Sequence, residues 1–184
     1  MSVDHMTPSP FVASWIAELA VHPWRSRRAP APQRALDVAM GRGRHARLLA
    51  QHGFQTFGVY VKCDVVRDGV ETAAREGLVI RGWCADLTAS PLPVGVFDVV
   101  VVARYLQRNL FDAIKASLRP RGCVIYETFT SAQLAHGTGP KSPNHLLRPG
   151  ELQSLFADWD VLFYEEVDVP DAVARLVARR PLSV

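Results

Sequence analysis

Hydrophobic residues fall along this chain in two alternating rhythms, short continuous apolar runs and longer amphipathic stretches, punctuated by glycine and proline. Ser9-Pro10 has the chemistry of a helix start, a hydroxyl cap and then proline at the first helical position. Val12, Trp15, Ile16 and Leu19 then share one helical face. Residues 23–32, rich in proline and arginine, form a connector. Residues 35–40 are a short apolar run ending at glycine, which predicts a strand. Residues 44–51 predict a helix that stops at Gly53. A second strand follows over 56–61. Asp64 caps a helix in which Val66, Val70 and Ala73 share a face and which Gly77 ends, and a third strand covers 79–85. Residues 97–103 include four consecutive valines, the pattern of a strand buried on both faces of a parallel sheet. Leu110, Phe111, Ile114 and Leu118 make the next helical face, closed by Pro120 and Gly122, and 123–129 is the fifth strand.

This alternation predicts an α/β fold, a parallel sheet with helices on both faces. An irregular stretch from 130 to 149 carries Gly137, Gly139, Pro140 and Pro143; a loop of that length is functional or mobile. A short helix over 150–156 precedes two closing strands, 161–169 and 173–178, although the tail from Ala172 also admits a helix.

Composition narrows the class. With 184 residues, 48% hydrophobic and 21% charged, the chain can bury one domain core. The net charge of +3 comes from scattered arginines, a solvated surface and not a nucleic-acid face; Arg25, Arg27 and Arg28 beside Trp24 are too few to change that. Cys63, Cys84 and Cys123 show no CxxC pair and no metal spacing with histidine. That argues against a disulfide framework or a zinc site and fits a reducing compartment. The first ten residues hold Asp4 and His5 and no apolar core of a secretion signal. No apolar run approaches the roughly 18 residues of a membrane span. A soluble cytoplasmic protein is expected, with no metal and no membrane partner.

The candidate chemistry begins at Gly41-Arg42-Gly43-Arg44-His45-Ala46, where the first strand runs into a helix. Glycines there let the backbone turn sharply and approach a ligand, and the helix offers its N-terminal N–H groups. G-x-G-x-x-A alone also fits a dinucleotide fingerprint. Asp37, inside an otherwise apolar strand, needs partners to be buried. It either serves a ligand or bonds nearby backbone N–H groups to hold the loop in shape.

Residues 35–45, Ala-Leu-Asp-Val-Ala-Met-Gly-Arg-Gly-Arg-His, resemble motif I of the class I S-adenosylmethionine-dependent methyltransferases. Cys84-Ala85-Asp86-Leu87 is similar to the motif ending the third strand, Phe97-Asp98-Val99-Val100-Val101 to the fourth strand, and residues 118–126 to the helix–Pro–Gly–strand unit before the fifth. Tyr126-Glu127-Thr128-Phe129 and Leu147-Arg148-Pro149-Gly150-Glu151-Leu152 resemble a bacterial small-molecule subgroup near the tellurite-resistance-type methyltransferases. The resemblance spans about residues 10–181. It implies one methyltransferase-like domain over 1–184, an N-terminal helix and connector to residue 32 and a Rossmann-like core from 33. It implies a seven-stranded, mostly parallel sheet with the last strand antiparallel, and S-adenosylmethionine as cofactor. Gly41 and Gly43 would approach its methionyl and ribose parts, with Asp37, Arg44 and Ala103 beside them. Asp86 would meet the adenine amino group, a sensible acceptor for that donor, and Leu87 the ring. Asp86 read alone is equally a turn cap.

Two positions depart from that family's pattern. Tyr60 stands where an acid normally accepts both ribose hydroxyls, and Met40, where a small residue is common, either crowds the cofactor or lines it. The expected function is methyl transfer to a small-molecule acceptor. The alternatives are a catalytically degenerate binding module and, further off, an NAD(P)-dependent oxidoreductase. Tyr105 and Glu127 are the catalytic candidates. Arg104, Tyr105, Glu127, His136 and His145 are the acceptor-side candidates, with Lys141 in the same loop. A histidine there has the right proton affinity for a base near neutral pH. Trp15 and Trp24 either close over the cofactor or pack an amphipathic helix.

Overall fold

A computed structural model describes residues 7–21 and 32–182. The strands are β1 (Arg34–Val38), β2 (Gln55–Tyr60), β3 (Ile80–Cys84), β4 (Phe97–Ala103), β5 (Leu118–Phe129), β6 (Asp160–Val167) and β7 (Val173–Arg179); the helices are α1 (Pro10–Val21), α2 (Arg44–Gln51), α3 (Cys63–Arg75), α4 (Phe111–Ser117) and α5 (Glu151–Leu155). All seven strands join one sheet in the order β3-β2-β1-β4-β5-β7-β6. β1 to β5 pair in parallel, and β7 is antiparallel to both β5 and β6. The expected sheet, with its last strand reversed, is what forms.

Each face is covered as the hydrophobic pattern demands. On one face Val12, Ile16 and Leu19 of α1 and Leu49 of α2 bury against Ala35, Val99, Val101, Cys123 and Ile125. On the other, Ile114 of α4, Leu152 of α5 and Phe156 just after α5 bury against Leu36, Val38, Val100, Val124 and Tyr126. β4 and the second half of β5 are buried on both sides, which is why their valine run does not alternate. Phe111 stacks on Tyr126 with centroids 5.3 Å apart.

Helix α3 lies on the α1 and α2 face and its approach depends on missing side chains. A Cβ on Gly82 would fall 2.7 Å from Val66, and one on Gly69 would fall 3.0 Å from the carbonyl of Arg42. Met40 fills the space over Gly58, where a Cβ would sit 2.0 Å from its sulfur. Met40 is therefore core packing between loop and sheet.

Several boundaries differ from expectation. α3 begins at Cys63 with Lys62 as its cap, and Asp64 lies in the first turn. β5 begins at Leu118, five residues early: Leu118 already pairs with Phe97 of β4, and the chain passes through a register shift that includes left-handed Arg121, φ of 66°, before Cys123 resumes the pairing at Val99. The tail is strand β7 and not a helix: β5 and β6 on either side satisfy its backbone. Trp24 and most of the connector at 23–32 lie outside the described residues. Cys63 and Cys84 form a disulfide, correcting the expectation of unpaired thiols; Cys123 is free and buried. Their separation of 21 residues matches no motif. The pair forms because parallel β2 and β3 bring the start of α3 beside the end of β3. Among the described residues no helix is long and apolar enough to cross a membrane.

Candidate active site

The strand order reverses at β1, whose neighbours are β2 and β4. A crevice opens there beyond the carboxyl ends of the strands, the usual ligand position in such sheets. The glycine loop sits at that point. Ala39, Gly41 and Gly43 all adopt left-handed backbone, with φ of 56°, 53° and 77°. A Cβ on Gly41 would meet nothing within 4 Å, so the loop presents an open cradle of backbone.

Asp37 shapes that turn. It is 2% exposed and its Oδ2 accepts a bond from the N–H of Ala46 at 2.9 Å. Burial pushes its carboxyl up to about 7, against the opposing pull of that N–H and of Arg44. Of its two readings, the loop-holding one is what the geometry supplies. His45, also buried, accepts the N–H of Ser9 on Nε2 at 3.1 Å, and Arg44 donates to the carbonyl of Thr7. Burial, then Arg44 and Arg104, holds the imidazole down to about 3, so it stays neutral and serves as an acceptor. These bonds lay the entry to α1 across the first turn of α2. Trp15 packs near Phe163, centroids 5.9 Å apart, as part of the α1 core contact.

The next rim is formed by the ends of β2 and β3. Tyr60 is half-buried and in register with Cys84. Asp86 is exposed and caps a turn: its Oδ1 accepts from the backbone N–H and hydroxyl of Thr88 at 2.9 and 2.7 Å. Those hydrogen bonds hold its carboxyl below the usual range. Leu87 is buried in the main core. Tyr105 belongs to this rim: its phenol bonds Gln107 Oε1, and burial and then the nearby Asp86 carboxylate push its ionisation up. Gln107 also donates to the carbonyl of Leu87 at 3.1 Å, tying the ends of β3 and β4 together.

At the ends of β4 and β5 the sheet register aligns Ala103, Glu127, Arg175 and Glu165 in one row. Glu127 is 1% exposed. Its Oε2 accepts from Arg175 Nε at 2.8 Å, while its buried Oε1 has no hydrogen-bond partner and lies 3.9 Å from Arg104 Nε. Arg104 has a left-handed φ of 58°, unusual for a long side chain. It pairs with Asp171 at 2.9 Å and lies over the ring of Phe129. The structure thus brings Arg104 and Glu127 together and places Tyr105 toward the β3 rim.

The stretch after β5 is pinned at both ends. Gln133, fully buried, accepts the N–H of Ala172 at 2.7 Å and donates to the carbonyl of Thr138. Arg108 bonds both oxygens of Glu151 and the carbonyls of Asn144 and Leu146. His136 and His145 lie on this loop with exposed side chains, apart from the Arg104–Glu127 pair's hydrogen bonding. Bonding to Arg108 holds Glu151 down to about 2. An acid lowered from 4.5 stabilises the fold above that value and loses the contribution as pH falls toward 2. Glu151→Gln should therefore lower stability by about 1 kcal/mol at pH 7. The difference in thermal midpoint from the parent should shrink below about pH 4.5; a difference that does not change with pH would contradict this assignment.

Sequence reasoning missed Gln107, Arg108, Gln133 and Arg175. Each acts through a partner distant in the chain, and only the strand register or the loop path shows the pairing.

Residues 35–122 match the family model for a methyltransferase domain. Hemagglutinin 1 of Eikenella corrodens is 30% identical over 144 residues, covering 74% of this chain and 47% of that protein; the chain thus spans about half of that relative's length. TehB from Haemophilus influenzae superposes with a TM-score of 0.68 at 18% identity, over 91% of this chain and 62% of that one. An S-adenosylmethionine-dependent methyltransferase from Mesorhizobium loti gives 0.66 at 18% identity, over 91% and 98%. At such identities the superpositions speak to the fold alone. The match over 35–122 includes the glycine loop, and the cofactor that a methyltransferase domain of this fold implies is S-adenosylmethionine. The residues fit that cofactor at the loop, where the open left-handed backbone above Gly41 is a cradle that a side chain would fill.

Proposed function

We propose that this domain transfers a methyl group from S-adenosylmethionine to a small-molecule acceptor by in-line displacement. The observation that carries the reading is the left-handed loop at the β1 switch point, open above Gly41, with the Arg104–Glu127 pair recessed beside it at the ends of β4 and β5. When bound, the cofactor supplies an electrophilic methyl group on a sulfonium. The chain's task is to hold both partners in line and keep water out.

In this reading Gly41, Gly43, Arg44 and Ala103 receive the methionyl and ribose parts. Tyr60 offers its phenol to the ribose, and Asp86 its carboxylate to the adenine, with Leu87 beneath. Asp37 acts one step back, by holding the turn through Ala46. Glu127 is the proton or hydrogen-bond acceptor for the attacking group, since Arg175 orients one oxygen and the other accepts no hydrogen bond, with Arg104 Nε 3.9 Å from it. Arg104 positions that carboxylate, and Tyr105 closes the wall toward the cofactor. Two features support a small acceptor. Glu127 is recessed, so the acceptor must enter the fold. The surrounding ionised groups are three carboxylates, Glu127, Asp171 and Glu165, against two guanidinium groups, which disfavours a polyanion.

Tyr60 supports a second reading, a domain that keeps the fold and has lost the reaction. Incubation with tritiated S-adenosylmethionine and, in parallel, a small-molecule extract, RNA and protein separates the two. Label in the small-molecule fraction is expected, and Glu127→Gln should lower it about a hundredfold, the usual contribution of a proton acceptor. Transfer only to RNA would end the small-acceptor reading; transfer to nothing would favour the degenerate domain.

A further inference from the structure

We infer that the Cys63–Cys84 disulfide is a thiol–disulfide control on the cofactor site, holding the ribose and adenine rim in its binding shape when oxidised and loosening it when reduced. This rests on the reading of that rim as a cofactor site. Cys84 is the last residue of β3 and Cys63 the first of α3, with Cα atoms 5.1 Å apart. Tyr60 lies in register with Cys84, and its carbonyl accepts the N–H of Ala85 at 3.1 Å. Only Val61 and Lys62, both exposed, separate Tyr60 from Cys63. The disulfide therefore closes a small ring of chain: out of β2 through Tyr60, Val61 and Lys62, across the two sulfurs, and back through the sheet to Tyr60. That ring contains the position that would meet the ribose and adjoins Asp86, which would meet the adenine.

The effect reaches the glycine loop. α3 touches that loop directly, because a Cβ on Gly69 would fall 3.0 Å from the carbonyl of Arg42. Freeing the first residue of α3 thus relaxes both the rim and the helix that backs the loop. Tyr60 makes the site sensitive to such a change: with one neutral oxygen in place of a carboxylate, less binding energy is available to order a loose turn.

Both cysteines are exposed, so a dithiol reductant can reach the bond; Cys123 is buried and takes no part. Exchange is balanced. A thiolate of the reductant attacks one sulfur, its second thiol resolves the mixed disulfide, and two electrons and two protons pass to Cys63 and Cys84 as the reductant becomes a disulfide. Linkage then requires reciprocity: whatever factor the bond adds to cofactor affinity, bound cofactor adds to the bond's resistance to reduction.

The test is titration of S-adenosylhomocysteine by calorimetry into oxidised protein, dithiothreitol-reduced protein and the Cys63→Ser/Cys84→Ser variant. It is paired with a dithiothreitol redox titration with and without S-adenosylhomocysteine, read by thiol labelling. Reduction is expected to weaken binding about tenfold, within the usual range of coupling between sites. The double variant should match the reduced protein and ignore dithiothreitol, and the ligand should shift the redox equilibrium by the same factor. Affinity unchanged within about twofold, with only the thermal midpoint lowered, would make the bond a structural staple and overturn the proposal. Labelling of Cys63 and Cys84 in air-exposed protein would overturn it as well. Oxidised protein that binds no S-adenosylhomocysteine would fell the cofactor reading and this proposal with it, a result distinguishable because labelling still reports the bond.

Discussion

Arg175→Met should lower stability by about 3 kcal/mol, the cost of leaving a buried carboxylate without its partner. Arg175 donates to Glu127 at 2.8 Å and to Glu165 at 2.8 Å, and its guanidinium lies over the ring of Phe11. After the change Glu127 keeps only Arg104, whose Nε is 3.9 Å away and which already pairs with Asp171. Glu127 is inside the fold, so water does not take the place of the missing donor. For a chain of this size the loss is a fall of about 6–12 °C in thermal midpoint. The double change Arg175→Met/Glu127→Leu should recover most of it, because removing both charges removes the desolvation cost together with the attraction. A single-variant loss below about 1 kcal/mol would mean that Glu127 is relieved some other way, and its assignment as a held, oriented carboxylate would fail.

Tyr60→Asp should tighten S-adenosylmethionine binding about tenfold to a hundredfold. A carboxylate adds a charge-assisted pair of acceptors worth roughly 1.5–3 kcal/mol over the phenol. Tyr60 is half-buried at the end of β2, with no hydrogen bond to its phenol among the described residues, so replacing it breaks no polar contact there. The comparison should use oxidised protein, so that the neighbouring disulfide is the same in both. A variant that binds no better would refute the placement of Tyr60 at the ribose.

The fold was largely legible in the chain because its pattern is local. The valine run of β4, the α2 face between Arg44 and Gln51 and the glycine loop each carry their signal within a dozen residues. The tail was ambiguous because its alternation is imperfect, and only pairing on both sides makes it a strand. The rim proposed for the cofactor is made of elements as local as those of the fold, since they are consecutive strand ends. Asp37 was found as a special residue, and its bond to Ala46 nine residues on decides between its two readings. The cluster around Glu127 was only half legible. Arg104 and Glu127 stood out as polar residues ending apolar strands. Arg175, which orients Glu127, is 48 residues away and looks like one more scattered arginine until β7 pairs with β5. The disulfide was hidden for the same physical reason, since proximity across two parallel strands leaves no trace in spacing.

We propose, above all, that the loop from Asp37 to Gly43 holds S-adenosylmethionine. Isothermal titration of this chain with S-adenosylmethionine and, separately, with NAD tests it most directly. Saturable heat at one site is expected with S-adenosylmethionine, and none with NAD. No heat with S-adenosylmethionine at millimolar concentration, or a response to NAD alone, would contradict it.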